Sequence, residues 1–341
     1  MGLIIKGNEH VGYWLGDLPK GCKLCFRGSK TVIFITGLCS DNCFYCPISI
    51  NRRFKDVLFV NEVEVKNLRN VVEEVAGSLS EGVGITGGDP LEVLDRTTLV
   101  IKSLKECFGR DFHVHLYTNG FKLDEKAAAS LDNAGLDELR IHITSPKSLK
   151  ALKIALGRAF DVVVENPAMP GQTRSTIELI KDLVKLGVKY VNLNELEVSD
   201  LNYQSLILRG FEISPDGRSV IGSKDTAIEV INLVKELSLD ISVHFCPALY
   251  KDIHQYSRRL SRRALGTKRV FETISNGVVK WLEVEGDAAN TYVRNLWLMD
   301  LVIKSANAYN THYNLVNKVR TGKVIEALPL TPRKILNEIP I

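Results

Sequence analysis

Between residues 31 and 265 short β-branched runs alternate with longer amphipathic stretches, and this alternation constrains the fold more than any other feature. Candidate strands are 31–36, 82–86, 111–117, 138–143, 160–165, 189–194 and 240–245; candidate helices are 62–79, 95–108, 124–134, 147–156, 174–186, 224–237 and 252–265. Turns such as Asn133-Ala134-Gly135 and Leu186-Gly187 separate them. Strands that alternate with helices run parallel and connect by right-handed crossovers. Six or seven such units specify an α/β fold, a partial or full parallel β/α barrel, which binds ligands at the C-terminal ends of its strands. Three regions fall outside the rhythm. Residues 1–30 form a leader, residues 200–223 an insertion with a turn at Ser214-Pro215-Asp216-Gly217, and residues 267–341 a small α+β tail. The insertion follows strand 189–194 and so hangs over the mouth of the barrel. In the tail, Phe271–Glu285 has the pattern of a hairpin turning at Asn276-Gly277. The expected organisation is a leader over 1–30, a barrel over 31–266 and a C-terminal region over 267–341.

The first strand runs into Cys39-Ser40-Asp41-Asn42-Cys43-Phe44-Tyr45-Cys46, three thiols spaced C-x3-C-x2-C on one loop. Three thiolates can hold three corners of a cubane iron–sulfur cluster and leave the fourth iron open. Plain electron transfer usually uses four cysteines, so an open iron points to chemistry. A zinc site would need a fourth ligand, and none lies within this loop. Two further turns end the next strands: Thr86-Gly87-Gly88-Asp89-Pro90 and Tyr117-Thr118-Asn119-Gly120.

These three motifs, in this order, resemble the signature of the radical S-adenosylmethionine (radical SAM) enzymes, in the branch related to pyruvate formate-lyase activating enzymes. The family pattern C-x3-C-x-Φ-C has an aromatic residue at Φ, and Tyr45 fills it. The match covers roughly residues 31–250. It implies that Cys39, Cys43 and Cys46 ligate a [4Fe-4S] cluster whose open iron is chelated by SAM. Reductive cleavage of SAM then gives a 5′-deoxyadenosyl radical that takes hydrogen from the substrate. Gly87, Gly88 and Asp89 resemble the family's GGE motif at the SAM amino group, with Asp in place of Glu. Thr118 and Asn119 look like the D-T-N-G of the activating enzymes, with Tyr117 in place of Asp, near the SAM ribose and methionine portion. His142, on the strand that supplies ribose and carboxylate ligands in those enzymes, is the implied contact there. The resemblance also implies an electron donor such as ferredoxin or flavodoxin, and a glycyl-radical protein, an RNA, a lipid or a small molecule as substrate.

Strand 189–194 continues into a polar run carrying Asn192, Asn194, Glu195 and Glu197, whereas parallel strands buried on both faces are nearly all apolar. A lined cavity follows, with Asn194 a candidate cofactor contact. Period two separates the asparagines from the glutamates, so one pair faces inward. A second metal is suggested by Cys22-x2-Cys25 in the leader together with His244 and Cys246 at the end of the last strand. These four ligands suit zinc, a rubredoxin-like iron or an auxiliary cluster, which would tie the leader to the barrel. The alternative is a free CxxC and an unrelated buried Cys246. Cys107 reads as core, on the apolar face of its helix. Arg258, Arg259, Arg262 and Arg263 form a basic stripe that suits phosphates, an acidic protein or, on balance, plain solvent.

Composition excludes little. The chain has 341 residues, is 45% hydrophobic and 25% charged, and carries a net charge of +4, too small to imply a polyanion partner. The apolar stretch at Met1–Lys6 is too short for a signal peptide. Seven cysteines, an odd number, fit a reducing cytoplasm better than a disulfide framework. A function of another class is a non-catalytic, metal-stabilised binding module that uses the arginine stripe for nucleic acid; its purified protein would be colourless rather than brown.

Overall fold

A computed structural model describes residues 4–285, 303–305, 308–313, 316 and 322–341. The chain divides into two compact units, one comprising the residues up to Val72 with Glu81–Gln255, the other Glu73–Ser80 with the chain from Tyr256 onward.

The first unit is built on one sheet. Its strands are β1 (Lys6–Asn8), β2 (Gly12–Leu15), β3 (Lys30–Phe34), β4 (Phe59–Val60), β5 (Val63–Glu64), β6 (Gly82–Thr86), β7 (His113–Thr118), β8 (Glu138–Ile141), β9 (Asp161–Pro167), β10 (Tyr190–Asn194) and β11 (Ser242–Cys246), in the order β1-β2-β11-β10-β9-β8-β7-β6-β3-β4-β5. The seven strands from β11 to β3 are mutually parallel. They are the seven strands expected. Antiparallel pairs finish both edges, and among the described strands β3 and β11 do not pair, so the barrel is open. Helices α1 (Lys20–Arg27), α2 (Leu68–Gly77), α3 (Leu94–Phe108), α4 (Glu125–Ala134), α5 (Pro146–Ala155), α6 (Thr173–Lys185), α7 (Tyr203–Ile207) and α8 (Ser223–Glu236) connect them.

The two faces of the parallel strands differ. Val83, Ile85, Val114, Leu116, Leu139, Ile141, Val162, Val164, Val191, Leu193, Val243 and Phe245 alternate along β6–β11 and are all buried. The opposite face carries His113, His115 and Tyr117 of β7, Glu138 and Arg140 of β8, Glu165 of β9, Asn192 and Asn194 of β10, and His244 and Cys246 of β11. Period two thus separates an apolar face from a polar lumen. The asparagines, rather than Glu195 and Glu197, face the lumen.

Four sequence expectations need correction. The leader is part of the sheet: β2 pairs with β11, and α1 lies at the starts of the strands, where the Gly21 N–H donates to Glu138 Oε2 at 3.1 Å. The helix expected over 62–79 begins only at Leu68, because Phe59–Glu64 forms the β4–β5 hairpin. The helix expected over 252–265 is α9 (Tyr256–Thr267), entered through a π-helical turn at Tyr250–Gln255, and it belongs to the second unit. Cys107 is exposed, because the buried stripe of α3 runs through Thr97, Val100, Ile101 and Leu104.

The second unit has α9 and an antiparallel sheet of β12 (Thr273–Ser275), β13 (Val278–Glu285), β14 (Ile303–Ser305), β15 (Ala308–Thr311), β16 (Lys323–Leu328) and β17 (Lys334–Pro340), ordered β14-β15-β13-β16-β17 with β12 on β13. The β12–β13 turn is the Asn276-Gly277 hairpin, with φ of 51° and 80° at those residues, the positive values a tight hairpin turn requires. Ala264 of α9 packs with Phe271, Val279, Trp281, Ile325 and Ala327. The arginine stripe is not a uniform solvent face. Arg263 is buried and donates to Glu74 Oε2 at 2.6 Å and to Thr331 Oγ1 at 3.2 Å, and Arg262 Nε donates to the Leu79 carbonyl at 3.1 Å.

Removing one partner of a buried ion pair leaves the other charge desolvated, which costs about 3–5 kcal/mol. Arg263→Ala is therefore expected to destabilise the second unit by about that amount, and Arg258→Ala by much less. Urea denaturation of the two variants checks this, and equal losses would show that Arg263 is no more committed than its neighbour.

Candidate active site

The cysteine loop leaves the C-terminal end of β3 and returns along β4. Its base is closed by two backbone bonds, Gly37 N–H to the Lys55 carbonyl at 2.8 Å and Phe54 N–H to the Gly37 carbonyl at 2.7 Å. A Cβ at Gly37 would stand 1.7 Å from the Arg52 carbonyl oxygen, so this crossing needs glycine. Within the loop the Cys46 N–H bonds the Cys43 carbonyl at 3.2 Å. Arg53 Nη2 donates to Asn42 Oδ1 at 2.6 Å.

The ends of the neighbouring strands are bound to this loop. After β6 the chain lies against residues 36–38: the Gly88 N–H donates to the Thr36 carbonyl at 2.8 Å and the Asp89 N–H to the Leu38 carbonyl at 2.7 Å. Cβ atoms at Gly87 and Gly88 would each sit 2.2 Å from a backbone oxygen, of Thr36 and Leu38 respectively. The paired glycines thus let two backbones touch. After β7, Asn119 Nδ2 approaches Cys39 Sγ at 3.6 Å while its Oδ1 accepts from the Phe121 N–H at 2.8 Å. After β8, His142 Nε2 lies 3.0 Å from the Tyr45 hydroxyl, and Thr144 Oγ1 donates to Asp41 Oδ2 at 3.2 Å. The insertion after β10 closes over the far side. Asn202 Nδ2 donates to the Tyr45 carbonyl at 2.9 Å, Ser205 Oγ donates to the Phe44 carbonyl, and Phe211 stacks on Phe44 with ring centroids 6.2 Å apart.

Asp89 follows the end of β6, and the structure gives its carboxylate four close contacts. Its carboxylate is 2% exposed. Oδ1 accepts from the Leu91 N–H at 2.9 Å, capping the Pro90–Val93 turn, Oδ2 accepts from the Asn119 N–H at 2.9 Å, and Thr118 Oγ1 lies 2.9 Å from both oxygens. Burial pushes this carboxyl up to about 6 against those donated bonds. The side chain clamps the ends of β6 and β7 together.

The thiols fit a metal cluster. Cys39, Cys43 and Cys46 are free and half-buried. Burial pushes Cys39 up to about 11 and Cys43 up to about 12, so without a cation both are neutral thiols. Bound iron would supply the positive charge that makes them thiolates. The Asp41 N–H, 3.4 Å from Cys39 Sγ, and the Asn119 amide are donors of the kind that stabilise cluster sulfur.

Below these loops the lumen is charged and internally paired. Arg140 Nε donates to Glu138 Oε1 at 2.6 Å, Nη1 to Glu165 Oε2 at 2.8 Å and Nη2 to Cys22 Sγ at 3.4 Å. Glu165 also accepts from Asn192 Nδ2 at 3.0 Å and Asn194 Nδ2 at 2.8 Å. Asn194 therefore faces Glu165. Lys251 pairs with Glu197. Cys22 lies 3.8 Å from His244 Nδ1, and no three of Cys22, Cys25, His244 and Cys246 bring ligand atoms within 4.8 Å of one another among the described residues. Cys22 instead accepts from Arg140 and Asn192. Glu165 escaped the sequence reading although it interrupts the valine run of β9, the same polar-in-buried-strand signal that marked β10. The pair His113 and His115 escaped it too, although an H-x-H in a strand puts both rings on one face.

An open parallel barrel with a three-cysteine loop at its C-terminal rim defines a metal-cofactor enzyme of the α/β class. Residues 33–193 match the Radical SAM superfamily. A Methanocaldococcus jannaschii protein provisionally named a glycyl-radical enzyme activating enzyme, MJ0021, is 39% identical over 270 residues, 76% of this chain and 71% of that protein. GTP 3′,8-cyclase of Helicobacter pylori (strain 26695) is 30% identical over 51% of this chain and 49% of its own length. Among solved structures, Streptococcus suis SuiB bound to S-adenosylmethionine aligns at TM-score 0.47 with 11% identity, over 67% of this chain and 52% of that one. The chain belongs to the radical SAM superfamily: it is an enzyme that uses a [4Fe-4S] cluster and S-adenosylmethionine. Among the described residues no helix is long and apolar enough to cross a membrane.

If Asp89 is the clamp, removing it strands the buried Thr118 hydroxyl and Asn119 N–H, at about 1–3 kcal/mol for each orphaned group. Asp89→Ala is expected to lower the stability of the cluster-free protein by about 2–4 kcal/mol, and Asp89→Asn, which keeps one acceptor oxygen, by less. Chemical denaturation of both variants is the check; an Asp89→Ala protein as stable as wild type would return the carboxylate to the role of a free ligand.

Proposed function

We propose that Cys39, Cys43 and Cys46 ligate the cluster, leaving one iron for S-adenosylmethionine, and that the substrate is a protein whose backbone glycine is converted to a radical. When bound, the reduced cluster supplies the electron that cleaves S-adenosylmethionine, and the resulting 5′-deoxyadenosyl radical takes hydrogen from the substrate. The observation that carries the reading is the gathering of polar groups from the ends of β6, β7 and β8, and from the insertion, onto the cysteine loop.

This chain's residues orient and shield. The backbone of Gly87 and Gly88 braces the base of the loop. The Asn119 amide and the Asp41 N–H temper the charge on Cys39. Burial holds His142 below the ordinary histidine range, and its neutral ring hydrogen-bonds the Tyr45 hydroxyl and fixes that aromatic side chain beside the cysteines. Thr118 and Asn194 stand further in, where Asp89 and Glu165 hold them. The insertion, packed on Phe44 and Tyr45 through Leu196, Leu206, Phe211 and Val220, keeps water from one side of the loop.

The choice of a glycyl-radical protein as substrate rests on the name of the M. jannaschii relative, which spans more than two thirds of both chains. The chemistry needs a low-potential electron donor of the ferredoxin or flavodoxin kind and a reducing compartment, the cytoplasm.

Anaerobically reconstituted wild-type protein should show the brown chromophore of an oxygen-labile [4Fe-4S] cluster and, once reduced, release 5′-deoxyadenosine from S-adenosylmethionine. The Cys39/Cys43/Cys46→Ala variant should do neither, and undiminished 5′-deoxyadenosine from that variant would refute the assignment. For the substrate, electron paramagnetic resonance on mixtures with candidate glycyl-radical proteins should show a glycyl doublet. Turnover of an RNA, a lipid or a small molecule without such a doublet would replace the protein substrate while leaving the cluster assignment standing.

A further inference from the structure

The foot of the barrel, at the opposite ends of the strands from the cysteine loop, holds a second constellation. β7 opens His113-Val114-His115, and β8 opens with Glu138, which lies directly opposite His115 in the parallel register. A ligand atom from each of the three side chains lies within 4.8 Å of the other two, and no other group of three or more histidine, cysteine, aspartate or glutamate ligand atoms does so among the described residues. The three side chains are buried, with exposures of 2%, 0% and 1%. None of the four ring nitrogens makes a hydrogen bond. The nearest approaches are His113 Nε2 to Glu138 Oε2 at 3.4 Å and His113 Nδ1 to Asp137 Oδ2 at 3.9 Å. Two desolvated imidazoles without a well-aligned hydrogen bond are a costly arrangement that native interiors avoid unless something else satisfies them.

We propose that His113, His115 and Glu138 bind one divalent transition ion, zinc or ferrous iron. Two imidazoles and one carboxylate are a donor set that suits both ions. Glycines face His115 from two sides: a Cβ at Gly84 would stand 2.6 Å from its Nε2, and one at Gly21 would stand 2.8 Å from its Nδ1. Glu138 is held for ligation by its own partners, Arg140 Nε on Oε1 at 2.6 Å and the Gly21 N–H on Oε2 at 3.1 Å, the carboxylate bonding that orients metal ligands elsewhere. Asp137, beside His113, is fixed by Lys105 Nζ and the Val114 N–H, each at 2.6 Å. The cations facing His115 are Arg140 and Lys30; with burial they hold its ring neutral, which leaves a lone pair for a metal. Arg140 is itself balanced by Glu138 and Glu165. The ion would join β7 to β8 and, through Glu138 and Gly21, hold α1 against the foot of the barrel. The three residue steps from His115 to Thr118 put it about 10 Å along the strand from the rim where the cysteine loop lies, so it is separate from the cluster.

The test uses the full chain with Cys39, Cys43 and Cys46 changed to Ala, so that no cluster contributes iron. The folded protein, checked by circular dichroism, should carry close to one equivalent of zinc or iron as purified. After chelation it should take up one equivalent of cobalt(II), with visible ligand-field bands, no intense thiolate charge-transfer band and a raised melting temperature. Adding His113→Gln and His115→Gln should abolish uptake, and adding Cys22→Ser and Cys25→Ser instead should not. Should the double histidine variant misfold, the cobalt titration of its parent still decides. A folded parent that is metal-free and shows no cobalt bands would overturn the site, as would thiolate bands or metal retained without the histidines.

Discussion

A guanidinium buried inside a sheet must find carboxylates or destabilise the fold, and Arg140 is such a group. It sits at 3% exposure in the middle of β8, pairs with Glu138 on its own strand and Glu165 on the next, reaches Cys22 on α1, and lies over the Tyr117 ring of β7 at 5.2 Å. Breaking a buried pair by removing one member costs about 3–5 kcal/mol. The pairing therefore fixes which side of β7, β8 and β9 looks inward. A one-residue slip of β8 would bring Leu139 and Ile141 to the lumen and strand Arg140 among the helices. The consequences spread outward. Glu165, held by Arg140, accepts from Asn192 and Asn194 and so orients β10. Burial pushes Glu138 up, but Arg140 together with His113 and His115 more than offsets this and holds it below the ordinary carboxylate range, and the resulting carboxylate accepts from the Gly21 N–H and anchors α1.

With the inward faces settled, the strands end at predictable heights and their loops meet. The meeting is made by backbone and short polar side chains. Gly87 and Gly88 permit contact with residues 36–38, and Asp89 converts that contact into a joint with Thr118 and Asn119. A longer carboxylate at residue 89 would have to fold back to cap the Leu91 N–H while still meeting Thr118 and Asn119. The shorter Asp, a departure from the family's Glu, suits a clamp at this spot.

Much of this was legible in the sequence. All seven parallel strands followed from β-branched runs spaced by amphipathic stretches, and the cysteine loop, Gly87-Gly88-Asp89 and Thr118-Asn119 fell at strand ends as the alternation required. What escaped detection depended on partners distant in the chain. The leader carries little apolar bulk, so nothing local marked Gly12–Leu15 as a strand; its reason for being there is β11, more than two hundred residues later. Arg263 looked like its neighbours on a basic stripe until Glu74 supplied a buried partner. Cys22 and His244, far apart in the chain, lie 3.8 Å apart, and the Arg140 and Asn192 side chains that also reach the thiol come from other strands. For Asp89 the motif gave the position, but the donors that surround its carboxylate come from another strand end.

The two ends of β7 show how one strand can serve chemistry and architecture together. Its C-terminal residues, Thr118 and the following Asn119, belong to the rim, where half-buried thiols and amide donors can accept a cluster. Its N-terminal residues, His113 and His115, belong to the foot, where α1 packs against the strand starts and both rings are buried. Barrels of this kind place chemistry at the C-terminal face and stability at the N-terminal one. The contrast in burial follows from that division: the rim cysteines keep partial exposure because cofactor and substrate must enter, whereas the foot histidines are closed off because nothing needs to leave. An ion at the foot would thus hold the lower end of the barrel, leaving the rim loops free to be shaped by the cofactor they bind.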